Sequence, residues 1–379
     1  MKNIKSCVLA IGNELLSGHT LDTNSHAAAQ MLTSLGTEVF KIMACDDAEE
    51  RIHSGVVKCQ SRVLIVSGGL GKTHDDVTNK VIEQVEKEYG YQRREIENRL
   101  GTANGVILND EKKMVFFLPG VPYEFLGMLP EVKRIIQEEV ELPKKHSKSF
   151  MTLGVGEFKL WEETGLLEKI PKGISVSSLP RSPGVEIIIS IPDEENNSEK
   201  FEEASTAIRE ELEDYIYSEN GESLISTVSN LLKEQKKTIS LAESCTGGLL
   251  AKNFTDISGS SDYFTGGIVC YSNAIKEDFL DVNPETIEQY GAVSSETAEE
   301  LAANVREIMN TDYGISITGI AGPDGGTETK PVGLVYIGLA TKTGVSVAEY
   351  RFTKNRETNR QFTAEYALKL LYDELTLSE

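Results

Sequence analysis

The sequence is poor in the features that mark secretion, metal binding or a membrane anchor. It has five cysteines in 379 residues, none in a CxxC pair, so neither a disulfide framework nor a zinc site is favoured. No stretch approaches the roughly 20 uninterrupted apolar residues of a membrane span, and Gly12, Asn13 and Glu14 interrupt the apolar start before it resembles a signal peptide. We therefore expect a cytoplasmic protein in a reducing compartment.

Positive charge is also scarce. The formal net charge is −22, divided into about −3 for residues 1–146, −9 for 147–236 and −10 for 237–379. A field of this sign repels nucleic acids and anionic membranes, although it leaves room for a local cationic pocket that binds one phosphate. We therefore expect neither nucleic acid nor membrane as a partner.

Histidine is absent after residue 146. The five histidines all lie within the first 146 residues, namely His19, His26, His53, His74 and His146. Most activated serines and cysteines use a histidine as base. A nucleophile in the later part of the chain would therefore need a lysine, a tyrosine or a carboxylate instead.

What the sequence does contain is a repeated alternation of apolar runs with helical patterns. Residues 1–146 predict an α/β domain with a doubly wound, mostly parallel sheet. Residues 147–219 predict a small α+β domain with an acidic helix from about residue 199 to 217, and residues 220–379 predict a second α/β domain. In such sheets ligands bind at the carboxyl ends of the strands.

In the last domain, three predicted strands are each followed by polar residues that could react or bind a ligand. "TISLAESCTGGLLAK" places Ser244 beside Cys245, "GGIVCYSNAIKEDFL" supplies Tyr271 and Lys276, and a glycine-rich loop follows Thr318. A lysine buried beside a tyrosine hydroxyl can have its pKa lowered toward neutrality, as a general base requires. These segments predict an active site at one edge of the sheet.

Each of these residues also has a simpler interpretation. Ser244 alone would be a helix cap and Cys245 a small buried hydrophobe. Residues 246–248, "TGG", open a helix whose free N–H groups suit an oxyanion or a phosphate, and this would equally serve a protein that binds phosphate without catalysis. Arg356, at the start of the last helix, could bind a phosphate through two N–H groups.

The first domain contains a second set of polar strand ends. "GGLGKTHDDVT" resembles a P-loop, but the glycine required five positions before Gly71 is Val66, so a nucleoside-triphosphate loop is not favoured. We predict instead a site for a polar or phosphorylated ligand, with a divalent cation conceivable at Asp75 and Asp76. Its predicted residues are Glu14, Asn24, Gly69, Thr73, Asp75, Asp76, Gly120 and Glu124.

Together these motifs resemble those of the CinA family, competence/damage-inducible protein A. The resemblance runs over nearly the whole chain through "IGNELLSGHTLDTN", "GGLGKTHDDVT", "LPGVPYEF", "AESCTGG", "TGGIVCYSNAIK", "YGAVSSETA" and "ITGIAGPDGGTETKPVG". It implies an N-terminal domain similar to molybdopterin-binding proteins, a KH-like middle domain and a C-terminal amidohydrolase domain. The middle domain carries no basic GxxG loop, so RNA binding is not expected.

The resemblance also implies an activity and its residues. The last domain would deamidate nicotinamide mononucleotide to nicotinate mononucleotide in pyridine-nucleotide salvage, without a cofactor or metal, and the first would hydrolyse the pyrophosphate of ADP-ribose. The catalytic residues would be Ser244, Lys276, Tyr271 and Thr318, and the substrate-binding residues Thr246, Gly247, Gly248, Gly322 and Arg356. We expect a homo-oligomer, namely a dimer.

Two alternatives stay open. In the first domain, Lys72 and Asn104 stand where the family usually has proline, and a proline-rich segment before "GTANG" is missing. This domain would then only bind ligand or hold the oligomer together. In the second alternative, both α/β domains bind nucleotides without turnover, and the protein acts as a sensor or scaffold.

Overall fold

The computed structural model describes residues 4–71, 77–181, 183–194 and 197–377. The chain divides into two compact units, Met1–Lys145 and His146–Glu379. The second unit contains both the predicted middle domain and the predicted C-terminal domain. The boundaries of the three predicted domains, at 146/147 and 219/220, stay a prediction.

Strands that are apolar throughout form the centre of the first unit. Its sheet has the order β2-β1-β3-β6-β5-β4, in which β2, β1, β3 and β6 are parallel and β5 and β4 are antiparallel. The elements are β1 Lys5–Ile11, α1 Asn13–Leu16, α2 Thr23–Ser34, β2 Glu38–Cys45, α3 Glu49–Lys58, β3 Val63–Ser67, α4 Thr78–Tyr89, β4 Gln92–Ile96, β5 Gly105–Asn109, β6 Met114–Leu118 and α5 Pro122–Glu139. The predicted doubly wound, mostly parallel sheet is confirmed.

Helices cover both faces of this sheet, which explains why the central strands do not alternate between apolar and polar residues. One apolar cluster packs α2 and α5 against one face of the sheet, and a second packs α3 and α4 against the other. Asp22 caps α2 by accepting a hydrogen bond from Ser25 N at 2.9 Å, as its position before the helix predicts. The carboxyl ends of β1, β3 and β6 therefore meet at one edge of the sheet.

The sequence disfavours a disulfide framework, and the structure nevertheless pairs two of the cysteines. Cys7 in β1 and Cys59 after α3 form a disulfide, and both residues are buried. The two cysteines are 52 residues apart, and they meet only because α3 packs on the face of β1 to which Cys7 points. Such a pairing cannot be read from spacing.

The second unit begins with a four-stranded sheet of order β10-β7-β9-β8. Its elements are β7 Lys145–Thr152, α6 Leu166–Lys169, β8 Ser175–Arg181, β9 Gly184–Pro192, α7 Asn197–Leu212 and β10 Ile216–Ser218, with a π-helical turn at Lys159–Glu163. The predicted α+β class is confirmed. The acidic helix ends at Leu212 and not near residue 217, because the chain turns there to place Ile216–Ser218 beside β7.

The rest of the second unit forms a five-stranded sheet of order β12-β11-β13-β14-β15. Its elements are α8 Leu224–Glu234, β11 Ile239–Glu243, α9 Leu249–Thr255, β12 Phe264–Val269, α10 Asn273–Leu280, α11 Pro284–Tyr290, α12 Ser295–Met309, β13 Tyr313–Gly319, β14 Leu334–Ala340, β15 Val345–Arg351 and α13 Arg356–Leu377. Within the described ranges, no helix is long and apolar enough to cross a membrane.

Candidate active site

Three parallel strands bring the predicted catalytic segments together. β11 lies between β12 and β13, and it runs parallel to both. Parallel strands end at the same edge of a sheet, so the segments after Glu243, Val269 and Gly319 share that edge. This is the arrangement that the sequence predicts for the loops of Ser244, Tyr271 and Thr318.

Ser244 and Lys276 lie in hydrogen-bond contact at this edge. Lys276 Nζ donates to Ser244 Oγ at 3.3 Å and to Cys270 O at 2.5 Å. Ser244 is 8% exposed, and its N–H donates to Ile317 O of β13 at 2.9 Å. A serine hydroxyl and a lysine amine in contact form a nucleophile and base pair without histidine.

Burial determines the protonation of Lys276. The side chain is 1% exposed, although it belongs to the first turn of α10, which Ser272 caps. Burial lowers the pKa of Lys276 below the ordinary lysine value, and the neighbouring Cys270 and Cys245 oppose this only in part. Among the described residues, no carboxylate pairs with its ammonium group. Burial therefore makes the neutral amine, which can accept a proton, more accessible than in an exposed lysine.

Cys245, next to the serine, belongs to the hydrophobic core. It is 6% exposed and packs in the apolar cluster between the sheet and helices α8, α9 and α13. Burial raises the pKa of the Cys245 thiol to about 12, with a smaller contribution of the same sign from Glu243. The thiolate required of a nucleophile is thus disfavoured.

The prediction that the helix after "TGG" offers free N–H groups is wrong at α9. Glu243 turns its buried carboxylate back onto the first turn of this helix. Its Oε2 accepts from Gly248 N and Leu250 N, both at 3.1 Å, and its Oε1 accepts from Ala251 N at 2.8 Å. These donors are occupied, so neither an oxyanion nor a phosphate finds them available.

The N–H groups that remain unpaired lie just before this helix, in the turn that follows Ser244. Ser244 N donates to Ile317 O, and Gly247 N donates to Ser244 O at 3.1 Å. Across the described parts of the chain, Cys245 N and Thr246 N have no main-chain or side-chain acceptor outside their own residue. Thr246 is fully buried, and its Oγ1 also has no hydrogen-bond partner there. Of these groups, only Cys245 N belongs to a residue with any exposed surface, so it is the candidate donor for a substrate oxygen.

Tyr271 lies beside Arg356 and not beside the base. Arg356 Nη2 donates to Tyr271 Oη at 3.2 Å, and Arg356 Nη1 donates to Gly322 O at 2.7 Å. Tyr271 is 62% exposed. In the described structure, Lys276 Nζ contacts Ser244 and Cys270 but not the tyrosine hydroxyl. The structure therefore brings Tyr271, Gly322 and Arg356 together at the mouth of the site.

A second arginine, which the sequence analysis did not single out, lies one helical turn after the first. Arg360 Nη2 donates to Thr246 O at 2.5 Å, and a Cβ on Gly247 would come within 3.6 Å of the same nitrogen. Residues four apart share one face of a helix. The spacing of Arg356 and Arg360 at the start of α13 was the available signal, and it places two cations beside the nucleophile turn.

Thr318, the fourth predicted catalytic residue, contacts a main-chain carbonyl in this structure. It is 1% exposed, and its Oγ1 donates to Ala292 O at 2.5 Å. Its hydroxyl proton is therefore committed to a main-chain carbonyl just before α12. Asn359, also buried, donates to Ala321 O at 3.0 Å and so ties the loop of Gly322 to helix α13.

The first unit contains part of its predicted ligand site. Asn24, at the start of α2, donates from Nδ2 to Ser67 Oγ at 2.9 Å and to Gly120 O at 2.8 Å. Its Oδ1 and the hydroxyl of Ser25 are buried without a hydrogen-bond partner in the described structure. Buried polar atoms normally have hydrogen-bond partners, so these two atoms make the carboxyl edge of this sheet a candidate site for a polar ligand.

The other predicted residues of this site are more dispersed. Glu14 is exposed in α1, Gly69 follows β3 with φ at +69°, and Glu124 accepts from Asn98 Nδ2 at 2.7 Å. Thr73, Asp75 and Asp76 lie outside the described residues. Within the described ranges, no group of three His, Cys, Asp or Glu side chains is placed to hold a metal ion.

Comparison with known proteins gives matches to both units. The family profile described as "CinA C-terminal domain" matches residues 221–375, and the profile described as "Probable molybdopterin binding domain" matches residues 7–138. The two matches together cover most of both α/β regions. The second agrees with the doubly wound fold of the first unit.

Individual relatives align along almost the full chain. A "Putative competence-damage inducible protein" of Halothermothrix orenii is 36% identical over 98% of this chain and 98% of its own length. A "CinA-like protein" of Amoebophilus asiaticus is 34% identical over 97% of this chain and 98% of its own. Among solved structures, competence/damage inducible protein CihA from Agrobacterium tumefaciens is 36% identical, covering 41% of this chain and 97% of its own, with a TM-score of 0.39.

Proposed function

Because this chain belongs to the CinA family, we propose that its C-terminal region is an amidohydrolase that converts nicotinamide mononucleotide to nicotinate mononucleotide and ammonia. The observation that carries the proposal is the contact of 3.3 Å between Ser244 Oγ and the buried Lys276 Nζ. The named substrate comes from the family resemblance, whereas the chemistry follows from this pair and the two arginines beside it.

In the proposed reaction, Ser244 Oγ attacks the carboxamide carbon and Lys276 accepts the hydroxyl proton. The hydrogen bond between them reverses for this step, because the neutral amine presents a lone pair to the serine hydroxyl. Cys270 O accepts a hydrogen bond from one N–H of the Lys276 amine. The lone pair of Lys276 Nζ is therefore free to face the serine hydroxyl. The carboxamide oxygen becomes an oxyanion, and the N–H group of Cys245 is the available donor for it.

The tetrahedral intermediate then loses ammonia. The Lys276 ammonium returns its proton to the amide nitrogen, the C–N bond breaks, and the nicotinoyl group remains on Ser244 as an ester. A water molecule that loses its proton to neutral Lys276 hydrolyses this ester, which releases nicotinate mononucleotide and restores the serine hydroxyl. Lys276 thus acts as base and acid in turn.

The phosphate of the substrate requires a cationic site near the serine. Arg356 and Arg360 supply two guanidinium groups on one face of α13, and neither pairs with a carboxylate of the described chain. They lie in a protein of net charge −22, so this local positive potential is distinctive. We assign them to the phosphate, with Tyr271 and the carbonyl of Gly322 orienting Arg356.

Ammonia release from nicotinamide mononucleotide by the purified full chain tests the proposal. Ser244→Ala should lower kcat by at least about a thousandfold, because it removes the nucleophile. Cys245→Ala is the matched neighbour: its thiol is buried in the core, so kcat should change by less than about threefold. Near-full activity in Ser244→Ala, or a reversal of the two results, would reject the assignment.

A second function for the first unit is favoured by its unsatisfied polar atoms. Asn24 Oδ1 and Ser25 Oγ lie at the carboxyl edge of the sheet, and we propose that they bind ADP-ribose: Ser25 Oγ donates to a phosphate oxygen, and Asn24 Oδ1 accepts from a ribose hydroxyl. Incubation of ADP-ribose with the full chain and Mg²⁺, followed by chromatography, separates turnover from binding. Intact ADP-ribose that nevertheless raises the Tm of the wild type, but not of Asn24→Ala, would identify a binding site without pyrophosphatase activity.

A further inference from the structure

Glu243 is a buried carboxylate inside the candidate active site that takes no part in the proposed bond-making steps. It is the last residue of β11 and is 2% exposed. Transfer of a carboxylate into a protein interior is unfavourable unless hydrogen bonds replace its water. Three main-chain N–H groups do so here, and all three belong to the first turn of α9 and its cap.

The main chain of Glu243 reaches the other half of the site. Glu243 O accepts from Cys270 N at 2.9 Å, and Cys270 O accepts from Lys276 Nζ at 2.5 Å. Ser244 is its covalent neighbour. One residue therefore holds the nucleophile turn through its side chain and the loop of the base through its main chain.

The remaining N–H groups of the turn show what this arrangement leaves available. The Glu243 carboxylate accepts from the main-chain N–H groups of Gly248, Leu250 and Ala251. Main-chain carbonyls accept from the N–H groups of Ser244 and Gly247. Within the described structure, only Cys245 N and Thr246 N in residues 244–248 lack an acceptor in another residue. Oxyanion donors stabilise a transition state only when their directions are fixed in advance.

We propose that Glu243 is the positioning residue of this amidase site: its carboxylate fixes residues 244–248 so that Cys245 N points at the oxyanion. The inference rests on the proposed function and deepens it. It also explains why a carboxylate stands here and not a neutral cap. A negative charge at the start of α9 excludes the substrate phosphate from the N–H groups of this turn and leaves Arg356 and Arg360 to bind it.

Two variants of Glu243 test the carboxylate separately from its volume. Glu243→Gln keeps the size of the side chain but directs an NH₂ group at one N–H donor, so kcat should fall about tenfold. Glu243→Ala removes every acceptor and should lower kcat about a hundredfold. The KM for nicotinamide mononucleotide should stay within about threefold in both, because the phosphate is bound by the arginines.

Formate provides a readout that general destabilisation would not change. In Glu243→Ala, formate can enter the vacated space and accept from the same N–H groups, so it should restore kcat in a saturable manner. Glu243→Gln fills that space and should not respond. Ser223→Ala is the matched control, because Ser223 caps α8 through Ser226 N at 3.3 Å outside the site. It should lower the Tm without lowering kcat.

Labelling of Ser244 by a fluorophosphonate, followed by intact mass, gives a second measurement that does not depend on the substrate. Its phosphoryl oxygen uses Cys245 N, the proposed oxyanion donor, so both Glu243 variants should react more slowly than the wild type. If Glu243→Ala fails to fold, Glu243→Gln carries the test alone. A kcat and a labelling rate within about threefold of wild type in the folded variants would overturn the inference. Inactivity of the wild type toward nicotinamide mononucleotide would instead reject the proposed function, and slow labelling would still support the role of Glu243.

Discussion

At the scale of single residues, the site depends on a lysine whose pKa is lowered by burial. Lys276 has no carboxylate partner in the described structure, and its hydrogen bonds run to a serine hydroxyl and a main-chain carbonyl, neither of which carries a charge. An exposed lysine in the same place would be an ammonium ion at neutral pH and could not act as a base. The enclosure of the side chain is therefore part of the chemistry.

This protonation predicts how activity depends on pH. Lys276 must be neutral to accept the serine proton, so kcat/KM should fall as the pH drops through its pKa and reach a plateau above it. Burial lowers this pKa from the ordinary value of 10.5, so the plateau should begin at a lower pH than an exposed lysine would allow. Initial rates across about pH 6 to 10 measure it.

The control for the pH dependence is Lys276→Arg, which keeps the charge but offers no lone pair at any of these pH values. It should be inactive throughout. A wild-type rate that does not change with pH across this range would contradict the role of Lys276 as the base, whereas a rate that declines with rising pH would indicate that the ammonium form is required.

At the scale of elements, the sequence predicts which loops meet at the carboxyl edge of the second α/β sheet. It does not predict the side-chain contacts between these loops. The apolar runs ending at Glu243, Val269 and Gly319 identify parallel strands, and topology alone then brings their loops together. The direction of a side chain within that edge depends on tertiary packing. Glu243 turning onto α9 and Tyr271 contacting Arg356 are outcomes of this kind.

The first unit shows the same limit. Its parallel strands were evident from their apolar runs, but the antiparallel pair β4 and β5 was not, because "QRREI" is an exposed edge strand without an apolar face. The contact between Asn98 and Glu124 likewise depends on how the segment between these strands folds back onto α5. Local patterns carry no record of such long-range contacts.

Helix α13 gives a prediction at this scale, since its first turns present both arginines to the site. Arg356→Gln removes one guanidinium and its hydrogen bonds to Gly322 O and Tyr271 Oη. We expect the KM for nicotinamide mononucleotide to rise at least about tenfold, with kcat within about threefold. Steady-state ammonia release measures both constants.

Arg351→Gln is the matched control for this prediction. Arg351 ends β15, is exposed and pairs with Glu349 on its own strand, so the variant makes the same change of charge outside the site. Its KM should equal that of the wild type. An equal rise in KM for the two variants would point to the net charge of the protein and not to a phosphate site at Arg356.

At the scale of the whole molecule, the second unit is one folded body with two sheets. Met151 and Leu153 of the β7 region and Tyr217 of β10 belong to the same buried cluster as Leu224 and Val228 of α8. A domain boundary at residue 219/220 would therefore divide the chain within one continuous apolar core. The compact unit His146–Glu379 describes the packing more closely.

This shared core predicts different stabilities for two fragments. A fragment of residues 220–379 loses Met151, Leu153 and Tyr217 and exposes the apolar face of α8 that they cover, whereas residues 146–379 keep this core intact. Burial of three such side chains contributes at least about 3 kcal/mol, so the shorter fragment should unfold at a clearly lower temperature. Ser244, Lys276, Arg356 and Arg360 are present in both, so kcat at low temperature should be the same. Thermal unfolding and ammonia release of the two fragments measure these effects, and equal unfolding temperatures would show that the β7 and β10 residues do not stabilise the catalytic sheet.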